Sequence, residues 1–213
     1  MLTQEYADEM LARSKAQLKQ DMFVLAELAF KRDGYFVEFG ATNGVDLSNT
    51  YLLEKDLGWT GILAEPAKVW HDDLHKNRDC HIDTDCVWFE SGKTLRFTEP
   101  EAAELSTIRA YAGLDEHAAA RFFGKIYEVN TTSLVDLLKK YNAPKEIDYL
   151  SIDTEGSEFD ILNAFDFDAY KIKVITCEHN YTPMREEIYK LLTSKGYTRK
   201  YTEFSYFDDW YVL

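Results

Sequence analysis

Four short stretches of the chain put acidic residues where burial makes them costly. "YFVEFGATNG" (35–44) carries Glu38 inside an apolar run and closes on Gly40 and Gly44, and "LAEP" (63–66) holds Glu65. "IDYLSIDTEGSE" (147–158) sets Asp153, Glu155 and Glu158 within six residues, and "CEHN" (177–180) supplies Glu178, His179 and Asn180. Each follows a β-rich run, so the acids fall at or near the carboxyl ends of predicted strands, the edge at which doubly wound sheets bind ligands. The two glycines suit a tight strand-to-helix turn and a close approach of backbone to ligand, although Thr42 stands at the middle glycine of the dinucleotide fingerprint. Glu65, about 20 residues beyond that turn, is placed to accept both hydroxyls of a ribose. A purely structural turn is the competing reading. A carboxylate inside the first strand calls for a cationic or hydrogen-bonding partner. It would repel the pyrophosphate of a nicotinamide cofactor and attract a ligand with an ammonium group. S-Adenosylmethionine has the adenosine and the ammonium, and no phosphate.

The second group of residues suggests the chemistry. Asp153 and Glu155 at the ligand edge are candidate catalytic acids, and His179 is a candidate general base. Oxygen ligands from neighbouring strand ends, Asp153 with Glu178 and Asn180, could hold a hard cation such as Mg2+. Glu158 has a simpler account, since an acid in the first helical turn complements the helix dipole. His71, His75, His81 and His117 fall on predicted helices or within a strand and read as ordinary residues.

These groups need a scaffold. Apolar residues at near-helical spacing over residues 3–31 predict an amphipathic leading helix, stopped at Gly34, within a helical lead-in of residues 1–33. Strand and helix then alternate: "YFVEF", a helix through "SNTYLLEKDLG", "GILAE", and a helix opened by Pro66. "CHIDTDCVWF" and "TLRF" predict a third strand followed by a small hairpin. Residues 99–128, alanine-rich and charged, read as an inserted cap on the acceptor side rather than a sheet element. A helix through "TTSLVDLLKKYNAP", the strands "IDYLSID" and "KVITCE" with their helices, and a closing antiparallel β-hairpin complete the pattern. The fold class is α/β: a mostly parallel seven-stranded, Rossmann-like sheet with helices on both faces, in a single domain over 1–213.

Composition excludes several classes of function. The chain of 213 residues is 46% hydrophobic, 15% aromatic and carries a net charge of -14. That charge, with no basic stripe, argues against nucleic acid and anionic membranes as partners. No window approaches 18 apolar residues and no basic-then-apolar leader opens the chain, so membrane insertion and a signal peptide are not expected. Cys80, Cys86 and Cys177, without CxxC spacing, suit reduced thiols and a cytoplasmic location. A homo-oligomer is compatible with the leading helix covering a partner's sheet.

Together, "VEFGATNG", "LAEP" and "IDYLSIDTEGSEFDIL" resemble the FkbM family of S-adenosylmethionine-dependent methyltransferases, of the class I fold. The resemblance covers roughly Gly34 to Glu178, with "IDYLSIDTEGSE" its most specific element. It implies a last strand antiparallel to the rest and O-methylation of a hydroxyl on a sugar, glycan or glycosylated natural product. It carries the first cofactor motif onto Glu38, Phe39, Gly40, Ala41 and Gly44, with Ser48 just beyond. The ribose acid falls on Glu65 beside Pro66, the adenine contact on Asp85 and Cys86, and the D-x-E-G motif on Asp153 and Glu155. Mg2+ enters by analogy with catechol O-methyltransferase. Ser151 departs from the basic residue that many relatives have there.

Two other functions compete. An NAD-dependent sugar oxidoreductase would use "YNAPK", Tyr141 to Lys145, as its Tyr-x-x-x-Lys pair, but Pro144 denies those side chains a common helical face. A non-catalytic binding module would leave buried acids without a ligand, at a cost in stability. Tyr111, Phe122, Phe123, Tyr206 and Trp210 could stack on a sugar, although core packing is the commoner use of such residues. His117 and Arg121, four apart in the predicted cap, could face the acceptor, although a solvated helix face is the commoner arrangement.

Overall fold

A computed structural model describes residues 3–213. Short apolar β-rich runs become β1 (Tyr35–Phe39), β2 (Thr60–Ala64), β3 (His81–Asp83), β8 (Glu146–Ile152), β9 (Lys171–Glu178), β10 (Thr198–Lys200) and β11 (Asp208–Val212). They form one seven-stranded sheet in the order β10-β11-β9-β8-β1-β2-β3. The pairs from β3 through β9 are parallel, and β11 runs antiparallel to both β9 and β10. The chain reverses its winding between β1 and β8, which are hydrogen-bonded neighbours, and a crevice must open at their carboxyl ends.

Helices cover both faces. On one face lie α1 (Gln4–Arg13), α2 (Gln20–Glu27), α3 (Tyr51–Leu57) and α4 (His71–Asn77), packing Met10, Phe23, Leu25, Leu53, Leu57 and Leu74 against Phe36, Leu63, Tyr149 and Val174. On the other, α6 (Leu134–Lys140), α7 (Glu158–Ala164) and α8 (Met184–Ser194) bury Leu137, Leu138, Ile161, Leu162, Ile188 and Leu192 against Val37, Ile62, Leu150 and Ile175. The alternation of these strand residues between the two cores follows from the two-residue period of a strand. Among the described residues no helix is long and apolar enough to cross a membrane.

Three expectations need correction. The leading helix breaks into α1 and α2: Ser14 leaves helical geometry, Lys19 is left-handed, and Ser14 Oγ donates to Asp21 at 2.7 Å. The run "CHIDTDCVWF" divides between two sheets, and residues 99–128 are not free of sheet structure. A second, four-stranded sheet of order β4-β7-β5-β6 is built from β4 (Cys86–Trp88), β5 (Thr94–Glu99), β6 (Thr107–Ile108) and β7 (Lys125–Ser133). In place of a local hairpin, β5 pairs antiparallel with β7 and β4 pairs parallel with it. Phe97, Ile108 and Val129 give this sheet its own small core with Cys86 and Ala67. The short α5 (Ala118–Arg121) lies between β6 and β7.

Candidate active site

Over the carboxyl ends of β1, β2 and β8 lies a cleft that opens to solvent. The second sheet contributes one wall through Phe97 and Ile108, while Gln17, between α1 and α2, and Gln20, at the start of α2, also line the cleft.

The glycine turn is held by the protein itself. Gly40 has φ of 73°, and a Cβ there would stand 2.1 Å from the carbonyl oxygen of Asp153; Gly44, at φ 79°, abuts Leu74 and Arg78. Both glycines therefore serve the left-handed turn and close packing on their own chain. Glu38 finds its partners in the same way. It accepts from the Asn49 N–H at 2.7 Å, Thr50 Oγ1 at 2.5 Å and Ser48 Oγ at 3.1 Å. The cation that its burial calls for is Arg78, fully buried and 3.9 Å away; Arg78 also donates to the Gly44 carbonyl, Ser48 and Thr50. Burial still pushes the Glu38 carboxyl above its ordinary range, with Arg78 opposing. Arg78 lies outside every motif quoted above, and a lone arginine after a helix gives no sequence signal.

Glu65 is aimed differently. One carboxylate oxygen accepts from the Thr42 N–H at 2.9 Å and the other from the Ala67 N–H at 2.7 Å. These bonds fix the carboxylate and leave each oxygen a free lone pair at the cleft. Burial pushes its pKa up to about 7. Phe39, Gly40, Pro66 and Cys86 also line the cleft. Ala41, Ser48 and Asp85 do not: Ala41 is buried in the helix-facing core, Ser48 is occupied by Glu38 and Arg78, and Asp85 caps Asp83 through its N–H. Val87 and Asn49 take their places in the lining. Asn49 donates to Ser151 at 2.9 Å, while its Oδ1 is buried with no protein partner. A nucleoside with an attached amino acid fits this set: hydroxyls to Glu65, an apolar wall for a base, and a donor for Asn49 Oδ1.

The other half of the edge is crowded with carboxylates. Oxygens of Asp153, Glu155 and Glu178 lie within 4.8 Å of one another. Burial first, and then neighbouring acids, raise all three above the usual range. Arg121, 1% exposed, reaches in from α5 and donates to Glu155 at 2.6 Å, to Asp115 at 2.7 Å and to the Leu105 carbonyl at 2.7 Å. A guanidinium at that distance favours the ionised form of Glu155 and moves the proton demanded by the crowding to Asp153 and Glu178. The solvated face expected for Arg121 is thus corrected: it is the cation of the cluster. Asn180 turns its amide N–H2 to Glu155 at 3.1 Å. A Mg2+ held by Asp153, Glu178 and Asn180 does not fit, because Arg121 already supplies positive charge and the Asn180 amide faces Glu155 as a donor. Glu158 accepts from the N–H groups of Thr154 and Gly156, closing its own loop.

His179 lies outside the cleft. It is 4% exposed, its Nδ1 accepts from the Tyr181 N–H at 3.0 Å, and its Nε2 faces Asp209 at 3.8 Å beside Arg185 and Arg199. As the residue after Glu178 it points to the opposite face of the sheet, so the general-base reading of His179 is corrected. The aromatic candidates are also absent from the cleft: Trp210 stacks on Phe23, while Phe122, Phe123 and Tyr206 are exposed. Tyr141 donates to the Ile82 carbonyl and Lys145 lies over the Tyr170 ring, so the oxidoreductase pair is not assembled.

A parallel sheet of this order, with one antiparallel strand near its end and a crevice at its switch point, defines the class I methyltransferase fold. Residues 38–199 match the Methyltransferase FkbM domain, and the chain belongs to that family of methyltransferases, whose methyl donor is S-adenosylmethionine. Among solved structures it is similar to the FkbM methyltransferase of Methylobacillus flagellatus KT, with a TM-score of 0.52 at 11% identity, covering 97% of this chain and 58% of that one. It is also similar to precorrin-6y C5,15-methyltransferase of Geobacter metallireducens GS-15, with a TM-score of 0.44 at 12% identity, covering 100% and 88%. No curated protein matches the sequence.

Proposed function

We propose that the chain transfers a methyl group from S-adenosylmethionine to a hydroxyl of a sugar, glycan or glycosylated natural product, and that it works in the cytoplasm. The observation that carries the reading is the pairing, across one cleft, of the oriented Glu65 carboxylate with the raised carboxylates Asp153 and Glu155. The cofactor, when bound, supplies a methyl already activated by its sulfonium. Glu65 holds the ribose hydroxyls, Pro66, Cys86 and Val87 face the base, and Asn49 Oδ1 takes a donor of the amino-acid end. Most of the remaining work is positioning, by turns fixed through Gly40 and Arg78. An alkyl hydroxyl is a weak nucleophile and must lose its proton; Glu155, which lines the cleft and which Arg121 holds towards its ionised form, accepts it. No role is assigned to Mg2+.

The test is to incubate the protein with methyl-labelled S-adenosylmethionine and a panel of mono- and oligosaccharides, and to locate the label by mass spectrometry. Label on a sugar oxygen, lost in Asp153→Asn with Glu155→Gln, supports the reading. Label on no sugar, with cofactor bound, removes the acceptor half of it.

A further inference from the structure

Glu38, Glu65, Glu104, Asp153, Glu155 and Asp208 line the cleft, and no lysine, arginine or histidine does. The amino-acid end of the methyl donor brings a carboxylate as well as an ammonium. A carboxylate entering a cleft of acids needs a hydrogen-bond donor in place of the water it loses. Most side-chain donors at the cleft are already used by the fold. Gln20 gives its amide to Asp208 at 2.7 Å and Asn49 gives its own to Ser151 at 2.9 Å. The hydroxyls of Thr42, Ser106 and Thr154 go to the Asp46 carbonyl, the Ala103 carbonyl and Glu158. Ser151 is only 1% exposed, two residues inside the sheet from Asp153. The Gln17 amide, by contrast, is exposed, lines the cleft and has no partner among the described residues.

Gln17 is presented by a strap between α1 and α2, upstream of residue 38, where the FkbM domain begins. Both ends of the strap are clamped. At its start, Ser14 Oγ donates to the buried Asp21 at 2.7 Å. At its end, Gln20 Oε1 accepts from the Leu18 N–H at 2.9 Å while the Gln20 amide holds Asp208 on β11. In the middle, Ala16, 2% exposed, forms an isolated parallel bridge with Leu47. That register sets Gln17 level with Ser48, one residue from Asn49, whose buried and unpartnered Oδ1 faces the donor's ammonium in the reading above. Ammonium and carboxylate share one carbon of the ligand, so the groups that bind them must be neighbours.

We propose that Gln17 binds the carboxylate of the methyl donor's amino-acid end, so that the strap upstream of the family domain completes the cofactor site. This rests on the donor being S-adenosylmethionine. A neutral amide suits the position, because it offers N–H groups to a carboxylate without adding a cation that the lining acids would capture. With the strap's backbone clamped by its own bonds, binding has to order little more than the Gln17 side chain.

The test is calorimetric titration of the full chain with S-adenosylhomocysteine and with its decarboxylated analogue, the same thioether bearing the amine alone. Wild type should bind S-adenosylhomocysteine about tenfold tighter, the effect of one hydrogen bond to a charged group. Gln17→Ala should bring the two ligands within about twofold of each other by weakening S-adenosylhomocysteine alone. Gln17→Glu should reverse the order, since it repels the carboxylate and attracts the amine. Both free variants should melt within about 1 °C of wild type, because an exposed side chain without partners contributes little to stability. Equal affinities in wild type, a preference that survives Gln17→Ala, or an equal weakening of both ligands overturns the proposal and leaves the methyltransferase reading standing. A wild type that binds neither ligand overturns both.

Discussion

The two halves of the ligand edge handle buried charge in opposite ways. Around β1 and β2 each carboxylate is met by donors from its own chain: Glu38 by residues 48–50 and Arg78, Glu65 by the N–H groups of Thr42 and Ala67. Around β8, β9 and β11 the carboxylates on the cleft face outnumber their donors, and among the described residues Arg121 alone brings them a cation, to Glu155. The first half is finished before any ligand arrives and can be rigid. The second is left in mutual repulsion, which a cationic or proton-donating ligand relieves. Preorganisation thus belongs to the β1–β2 half of the edge and electrostatic demand to the β8–β11 half.

The largest expected effect breaks the finished half. Gly40→Ala places a Cβ 2.1 Å from the Asp153 carbonyl at a left-handed φ, and should cost about 4 kcal/mol or more in urea unfolding, abolishing cofactor binding with it. Next comes Arg121→Gln, which leaves Glu155 and Asp115 without their buried cation. Loss of about 3 kcal/mol is expected near pH 8, and less near pH 5, where Glu155 can take a proton.

A third, smaller effect separates the halves by pH. Glu65 and Asp208 are pushed up to about 7 by burial, so the folded state holds protons that the unfolded state has released. Stability therefore falls as pH rises from about 4 through about 7, and the melting temperature of the free protein should be higher near pH 5.5 than near pH 8. Asp208→Asn should flatten that slope. The smallest effect concerns His179, which faces Asp209 behind the sheet. His179→Asn should leave turnover within about threefold of wild type, where loss of a general base costs about a hundredfold or more.

The sequence made the sheet legible because apolar runs of strand length, each closed by an acid or a glycine, recur with helices between them. The D-x-E-G stretch and Glu65 were visible for the same reason, as acids at strand ends. The second sheet was not, because β4 and β7 pair in parallel across more than forty residues and no local pattern records that pairing. Arg78 and Arg121 were hidden as well: each acts at a distance in sequence, and a buried arginine looks like a surface one until its partners are known. His179 is the exception among these polar residues: strand alternation turns it away from Glu178 to the opposite face, and adjacent polar residues at a strand end carry no apolar pattern that shows it.

The most direct test of the central claim is a thermal-shift titration with S-adenosylhomocysteine and, separately, with NAD, on wild type and Glu65→Gln. At about 100 times its dissociation constant the first ligand adds about 2.7 kcal/mol, which for a chain of this size raises the melting temperature by about 5–10 °C. The account predicts that rise for S-adenosylhomocysteine alone and its loss in Glu65→Gln. No rise with S-adenosylhomocysteine, or an equal rise with NAD, would contradict it.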